Sequence, residues 1–209
     1  MKIDRLTLGA YETNCYVLRD GEAANDCLII DPGLEAEVLV DFLRDHKLNP
    51  VAVVLTHGHI DHIAGVVALR DAFPDVKVSI HELDAVMLSE PHANLSVMSG
   101  MAFSTHPPDV SLQDGDIVNQ AGIELLVLHT PGHTPGGICL CSKVAGIAFV
   151  GDTLFAGSVG RADFPGGSMY QLINSVKEKL FTLPGETKVY PGHGPPTTIA
   201  HEKNHNPFF

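Results

Sequence analysis

Four short runs in this sequence, Val51 to Leu55, Ile123 to Leu128, Ile147 to Val150 and Lys188 to Tyr190, each give way to a glycine- or proline-bearing turn that carries histidine or aspartate. Runs of this length bounded by turn residues read as short strands. The first turn is the richest: Thr56-His57-Gly58-His59-Ile60-Asp61-His62 sets three imidazoles and a carboxylate just past a buried strand. Imidazole nitrogen and carboxylate oxygen suit zinc, iron or manganese, and a strand end holds them more firmly than a mobile loop. His57 and His59, two apart on extended chain, can point the same way, while Asp61 and His62 fall on the turn into a helix and face a second position. One short motif can therefore serve two metals.

The other three turns place His133 in Thr130-Pro131-Gly132-His133-Thr134-Pro135-Gly136, Asp152 in Val150-Gly151-Asp152-Thr153 and His193 in Tyr190-Pro191-Gly192-His193-Gly194. Any one of these could be a solvated turn residue. Repeated placement beyond successive strand ends is hard to obtain by chance, and together with the first cluster it points to metal.

The ordered series Thr13-Asn14-Cys15-Tyr16, Ile30-Asp31-Pro32-Gly33, the histidine cluster, Pro131 to Gly136, Gly151 to Phe155, Gly160-Arg161-Ala162-Asp163-Phe164, Tyr190 to Gly194 and Asn206-Pro207-Phe208 resembles the metallo-β-lactamase superfamily, and within it the glyoxalase II-like hydrolases. The resemblance covers nearly the whole chain. It implies a four-layer αββα sandwich in the α/β class, with His57, His59 and His133 on one divalent ion, Asp61, His62 and His193 on a second, and Asp152 between them. Zinc is the first expectation for both ions, with iron or manganese as the others.

A chain of 209 residues with 44% hydrophobic content can bury one substantial core, and no linker divides it, so one domain over residues 1–209 is expected. Met1 to Leu8 mixes Lys2, Asp4 and Arg5 into an alternating strand and does not read as a signal peptide, and no apolar stretch is long enough to span a bilayer. A cytoplasmic protein without a membrane partner is the expectation. Cys15, Cys27, Cys139 and Cys141 lie in strand-like segments and read as small buried residues; Cys139 and Cys141 share one strand face. The net charge of −12, with 13 Lys and Arg, argues against nucleic acid as a partner. Two divalent ions would still make a pocket positive enough for a small anion.

Elsewhere, Ile3 to Leu8, Asn14 to Arg19 and Cys27 to Ile30 read as a strand meander, and Glu35 to His46 as a helix with Val38, Leu39, Phe42 and Leu43 as its apolar stripe. A helix is predicted over Ile63 to Phe73, a strand over Lys77 to Ile80, a short helix from about Glu82 and a last long helix over Met169 to Phe181. Ser89 to Val110 has no clean period and is expected to form a lip on the substrate side of the centre. His81, His92 and His106, like His46, His129, His201 and His205, are expected at the surface. Phe208 and Phe209 read as a terminal patch, packed on the fold or making a homodimer contact.

Two divalent ions roughly 3.5–4 Å apart can share a water and lower its pKa to about 7, giving a nucleophile for a carbonyl carbon. A thioester suits this chemistry, because its thiol leaving group needs no strong general acid. Asp61 is the candidate to hold or accept the water's proton, and Asp31 and Asp163 are candidates to orient ligands from behind. The resemblance implies hydroxyacyl-glutathione thioesters as the small-molecule substrate class. The longer glyoxalase II enzymes grip glutathione with basic residues of a C-terminal helical domain, which this sequence does not show after His193. Arg161 is the remaining candidate to clamp a substrate carboxylate, with an ion pair to Asp163 or another acid as the equal alternative. The rival activity is persulfide dioxygenation by one iron on His57, His133 and Asp152, since the stretch Gly160 to Phe164 also resembles those enzymes. A metal-binding protein without catalysis would need closed coordination, which seven ligands around a shared carboxylate do not give.

Overall fold

The computed structural model describes residues 1–209. Six strands form the first sheet in chain order: β1 (Lys2–Leu8), β2 (Thr13–Arg19), β3 (Asp26–Ile30), β4 (Asn49–Val54), β5 (Lys77–His81) and β6 (Val110–Leu112). The first three are antiparallel and the last three add on in parallel. The second sheet contains β7 (Ile117–Gln120), β8 (Ile123–His129), β9 (Ile138–Ser142), β10 (Ile147–Gly151), β13 (Lys188–Pro191) and β14 (Thr197–Thr198), in the order β14-β13-β10-β9-β8-β7. Between β10 and β13 a small hairpin pairs β11 (Leu154–Phe155) with β12 (Ser158–Val159).

Alternation along the strands builds the layers. In β2, Tyr16 and Leu18 join a core that also takes Leu125, Val127, Leu140 and Phe149 of the second sheet, whereas Cys15 and Val17 join a different core on the opposite face. That outer core holds Leu39 and Leu43 of α1 (Ala36–Asp45), Ile63 of α2 (Ile60–Ile63) and Val66 and Leu69 of α3 (Val66–Ala72). On the far side of the second sheet, Cys139, Cys141, Ala148 and Val150 pack under Leu172 of α4 (Met169–Ser175) and Ile199 of α5 (Ile199–His205). Side chains that point to opposite faces at period two thus supply three apolar interfaces between four layers, helix, sheet, sheet and helix. All four cysteines are free and buried within these layers. No helix is long and apolar enough to cross a membrane.

Several elements depart from expectation. The helix predicted over Ile63 to Phe73 is split into α2 and α3, because the His62 carbonyl accepts from Gly33 N (3.2 Å), so a neighbouring turn uses the acceptor that would continue the helix. The last long helix widens after Ser175 into a π turn over Val176–Leu180, closed by Phe181 N donating to the Val176 carbonyl. His81, expected at the surface, is buried: it ends β5, its Nδ1 accepts from Leu83 N, and its ring stacks on His129 at 4.2 Å. The short helix after it is a 3₁₀ helix, Glu82–Leu88. The segment Ser89 to Val110 is irregular apart from a 3₁₀ turn over Ser96–Ser99, and its last residue, Val110, opens β6. Phe209 packs edge-on against Phe181 while Phe208 stays exposed.

Candidate metal centre

The two sheets meet at the end where β4, β8, β10 and β13 finish, and the structure brings all seven predicted side chains together there. Three trios have their ligating atoms within 4.8 Å of one another: His57, His59 and His133; His57, His62 and Asp152; and Asp61, His62 and His193. The sheets are stitched at this edge by backbone and side chain. Asn14 N donates to the Gly192 carbonyl (2.7 Å), Ile138 N to the Thr56 carbonyl (2.9 Å), and the Tyr16 hydroxyl to the Pro191 carbonyl (2.6 Å). Gly192 has to be glycine, since a Cβ there would run into the Asp152 carboxylate and the His62 ring.

Behind the ring of ligands, four of the five imidazoles are held by their outer nitrogen. His62 Nδ1 donates to Asp31 Oδ2 (2.9 Å), His133 Nδ1 to the Arg161 carbonyl (2.6 Å) and His193 Nδ1 to the Tyr11 carbonyl (2.9 Å). Thr56 Oγ1 donates to Asp31 Oδ2 (2.6 Å) and so offers a lone pair to His57 Nδ1 (3.1 Å). In all four Nε2 is left to face inward, which is how a protein fixes the tautomer and aim of a metal ligand. His59 turns the other way, with Nδ1 at 2.9 Å from His133 Nε2.

The inward atoms satisfy one another only in part. His57 Nε2 and Asp152 Oδ1 are buried with no hydrogen-bond partner, and His62 Nε2 lies 3.3 Å from His193 Nε2. Lone pairs facing one another in a buried site are costly unless a cation or a proton sits among them. The electrostatics carry the same message. Burial, reinforced by the neighbouring imidazoles, pushes His57 well below the usual histidine range, and burial with His133 takes His59 down to about 3. His62 is raised well above that range: although burial opposes it, Asp61, Asp152 and Asp31 together prevail. Asp152 is pulled far down against its burial by His62, His133 and His193. The centre thus holds neutral imidazole donors at one side and a concentration of carboxylates seeking positive charge at the other. Divalent metal ions fit this donor set. Asp152 reaches both sides, with Oδ1 at 3.4 Å from His62 Nε2 and Oδ2 at 3.5 Å from His133 Nε2.

A cleft of about 610 Å³ opens over the centre, lined by Asp61, His133, Asp152 and His193 together with Leu95, Met98 and Ser99 of the segment after Ser89, which forms a lip as expected. Residues 8–193 match the family described as the metallo-beta-lactamase superfamily. This chain belongs to that superfamily. A metallo-beta-lactamase-type chain like this one is similar along its whole length to hydroxyacylglutathione hydrolase GloC of Haemophilus influenzae, with 36% identity over 100% of this chain and 98% of the relative. Among solved structures it is similar to the BLEG-1 B3 metallo-beta-lactamase (37% identity, TM-score 0.93, 99% of each chain). It is also similar to TTHA1623 in a di-iron-bound form (39% identity, TM-score 0.86, 99% of this chain and 100% of that one).

The residues expected to stand behind the ligands divide. Asp31 reaches His62 directly and His57 through Thr56, and it also accepts from Thr56 N (2.8 Å). Asp163 does not reach a ligand; both its oxygens accept from Arg161, at 2.7 and 2.8 Å, on an exposed rim. The reason is local: two residues apart on an irregular stretch, the pair closes on itself, and the main chain of Arg161 holds His133 instead. The Arg161 guanidinium also lies over the Phe164 ring at 4.0 Å, so the proposed clamp already carries an ion pair at the mouth of the cleft. Asp84 was not anticipated. Fully buried, it accepts from Gly58 N (3.2 Å), Thr134 Oγ1 (2.7 Å) and Gly136 N (2.6 Å), tying the His57–His59 turn to the turn after His133. Its sequence context, an acid in a short helix, carries no signal of this.

Proposed function

We propose that this chain is a dinuclear metallo-hydrolase that cleaves a thioester. The observation that carries the reading is the pair of ligand groups, His57, His59 and His133 beside Asp61, His62 and His193, with the partnerless Asp152 Oδ1 between them. When bound, two divalent ions would supply a water ionised near neutral pH and a Lewis acid for the substrate carbonyl. The chain's own residues do the rest. Asp31, Thr56, Tyr11 and Arg161 fix the ring orientations through the bonds described above. Asp61 keeps one oxygen near His193 Nε2 (3.2 Å) and accepts from Thr13 Oγ1 (3.3 Å), while its side chain remains partly open to the cleft, which suits it to take the proton of an attacking water. A thiolate leaving group needs no strong general acid.

Likeness to GloC supports a hydroxyacyl-glutathione as the thioester to assay first, and likeness to TTHA1623 in its di-iron-bound form supports a two-metal centre that can take iron. A small-molecule substrate, with no nucleic-acid partner, agrees with the charge of −12. The alternative, a mononuclear-iron persulfide dioxygenase, would leave Asp61, His62 and His193 gathered without a metal ion to share. The test is metal analysis of the purified protein together with hydrolysis of S-lactoylglutathione and of a β-lactam, and oxygen uptake on glutathione persulfide. Near two metals per chain with thioester turnover supports the proposal; one iron with oxygen uptake overturns it.

A further inference from the structure

The lip over the centre is anchored at its base and lightly tied at its tip. Asn94, fully buried, donates to the carbonyls of Met87 (2.8 Å) and Phe103 (3.1 Å) and accepts from Ser96 N (3.0 Å), and its own carbonyl accepts from Ile60 N (2.9 Å) at the start of the helix bearing Asp61 and His62. Beyond this base, the Ser96–Ser99 turn is bracketed by two residues in the left-handed region, Leu95 at φ 65° and Gly100 at φ 72°. Met98 at the tip is 71% exposed. One side-chain hydrogen bond ties the tip to the rest of the protein, between Ser99 Oγ and the Tyr11 phenol at 2.8 Å. Tyr11 lies in the β1–β2 turn, and its carbonyl is the group that holds His193. The residue therefore spans from a ligand of the centre to the lip.

The cleft walls beside this bond are apolar. Leu95 and Met98 of the lip line the cleft with Ile60, Phe155 and Phe164, while the charge of Arg161 on the rim is matched by Asp163. We infer that the Tyr11–Ser99 hydrogen bond is a specificity latch, holding Leu95 and Met98 over the metal centre so that an apolar group of the substrate is selected; the inference rests on the thioesterase reading above. A solvent-facing hydrogen bond has a small net strength, so the tip can yield to an entering substrate and close again on the timescale of loop motion. Methionine, flexible and polarisable, adapts to apolar groups of varied shape, and covering its exposed side chain rewards a substrate that brings such a group.

Tyr11→Phe removes the latch but keeps the ring and the backbone carbonyl on His193, so metal content is expected to stay at the wild-type level. Tyr11→Phe and Ser99→Ala are each expected to raise KM for an apolar thioester about three- to tenfold with kcat changed less than about twofold, and the double variant is expected to do no more than either single one. Amide hydrogen exchange over residues 96–101 is expected to quicken equally in all three. The specificity arm uses thioesters lengthened on either side of the scissile bond, hexanoyl for acetyl and benzyl mercaptan for methyl mercaptan. At least one lengthening should raise kcat/KM, and Met98→Ser should cancel the gain. Additive effects of the two latch variants, unchanged KM and exchange, or a gain that survives Met98→Ser would each overturn the inference. If the wild-type protein turns over no thioester, the hydrolase reading fails, while exchange in the latch variants still decides whether the bond holds the lip.

Discussion

Removing the Asp84 carboxylate should loosen the centre without touching a ligand. Asp84→Ala leaves Gly58 N, Thr134 Oγ1 and Gly136 N without their acceptor in a fully buried place. Each such orphaned donor costs about 1–3 kcal/mol, and the contact to Gly58 is the longest of the three, so the sum is about 4–6 kcal/mol. Burial pushes the Asp84 pKa up in spite of its three donors, which means the charge is incompletely compensated and favours the lower end. Asp84→Asn keeps the shape: its oxygen can serve Gly136 N and its amide can donate to Thr134, leaving only Gly58 N unpaired, at about 1–2 kcal/mol. A domain of this kind has roughly 5–15 kcal/mol in total, so the alanine variant should be barely folded without metal. Urea denaturation followed by circular dichroism, in chelator and with excess zinc, measures this directly. Metal should rescue both variants, because a ligand that binds only the folded state stabilises it by mass action. An alanine variant within about 1 kcal/mol of wild type, or an asparagine variant as damaging as the alanine one, would refute the assignment of Asp84 as the tie between the two ligand turns.

Asp31→Ala should lower metal affinity about 10- to 100-fold, by freeing the His62 ring and the Thr56 bridge to His57, as read by competition with a chromogenic chelator. Asp152→Ala should abolish activity and reduce bound metal, measured by elemental analysis. Arg161→Ala should leave metal content unchanged, because the carbonyl and not the side chain holds His133; a loss of metal would show that the rim ion pair shapes the loop. Metal affinity should rise with pH. In the metal-free protein His62 is raised well above the usual range by its three carboxylates, so binding must expel its proton, whereas His57 and His59 are depressed and already neutral. Calorimetry in buffers of different ionisation enthalpy would reveal the released proton, and pH-independent binding would contradict this picture.

The seven side chains that converge were all legible as a pattern, because each follows a strand and strands deliver their ends to a common edge. The residues behind them were legible only where the chain repeats a family motif. Asp31 stands in Ile30-Asp31-Pro32-Gly33, and it accepts from the His62 ring. Asp163 stands in an equally distinctive stretch and closes on Arg161 instead, since which partner a carboxylate takes depends on distances of an ångström that no spacing encodes. His81 looked like a surface histidine beside a loop, and is buried because Val110–Leu112 adds a strand next to it that the irregular composition of that segment conceals.

Local letters alone determined the alternation that makes two-faced strands, the turns that end them, and the chemical identity of the groups placed there, because these depend on residues a few positions apart. Tertiary structure alone decided that Asp84 ties the turn at Gly58 to the turn at Thr134 and Gly136 and that Tyr11 joins His193 to the lip. Such contacts are set by how the two sheets stack and where loops cross, and a one-dimensional pattern carries no record of which buried polar groups will meet.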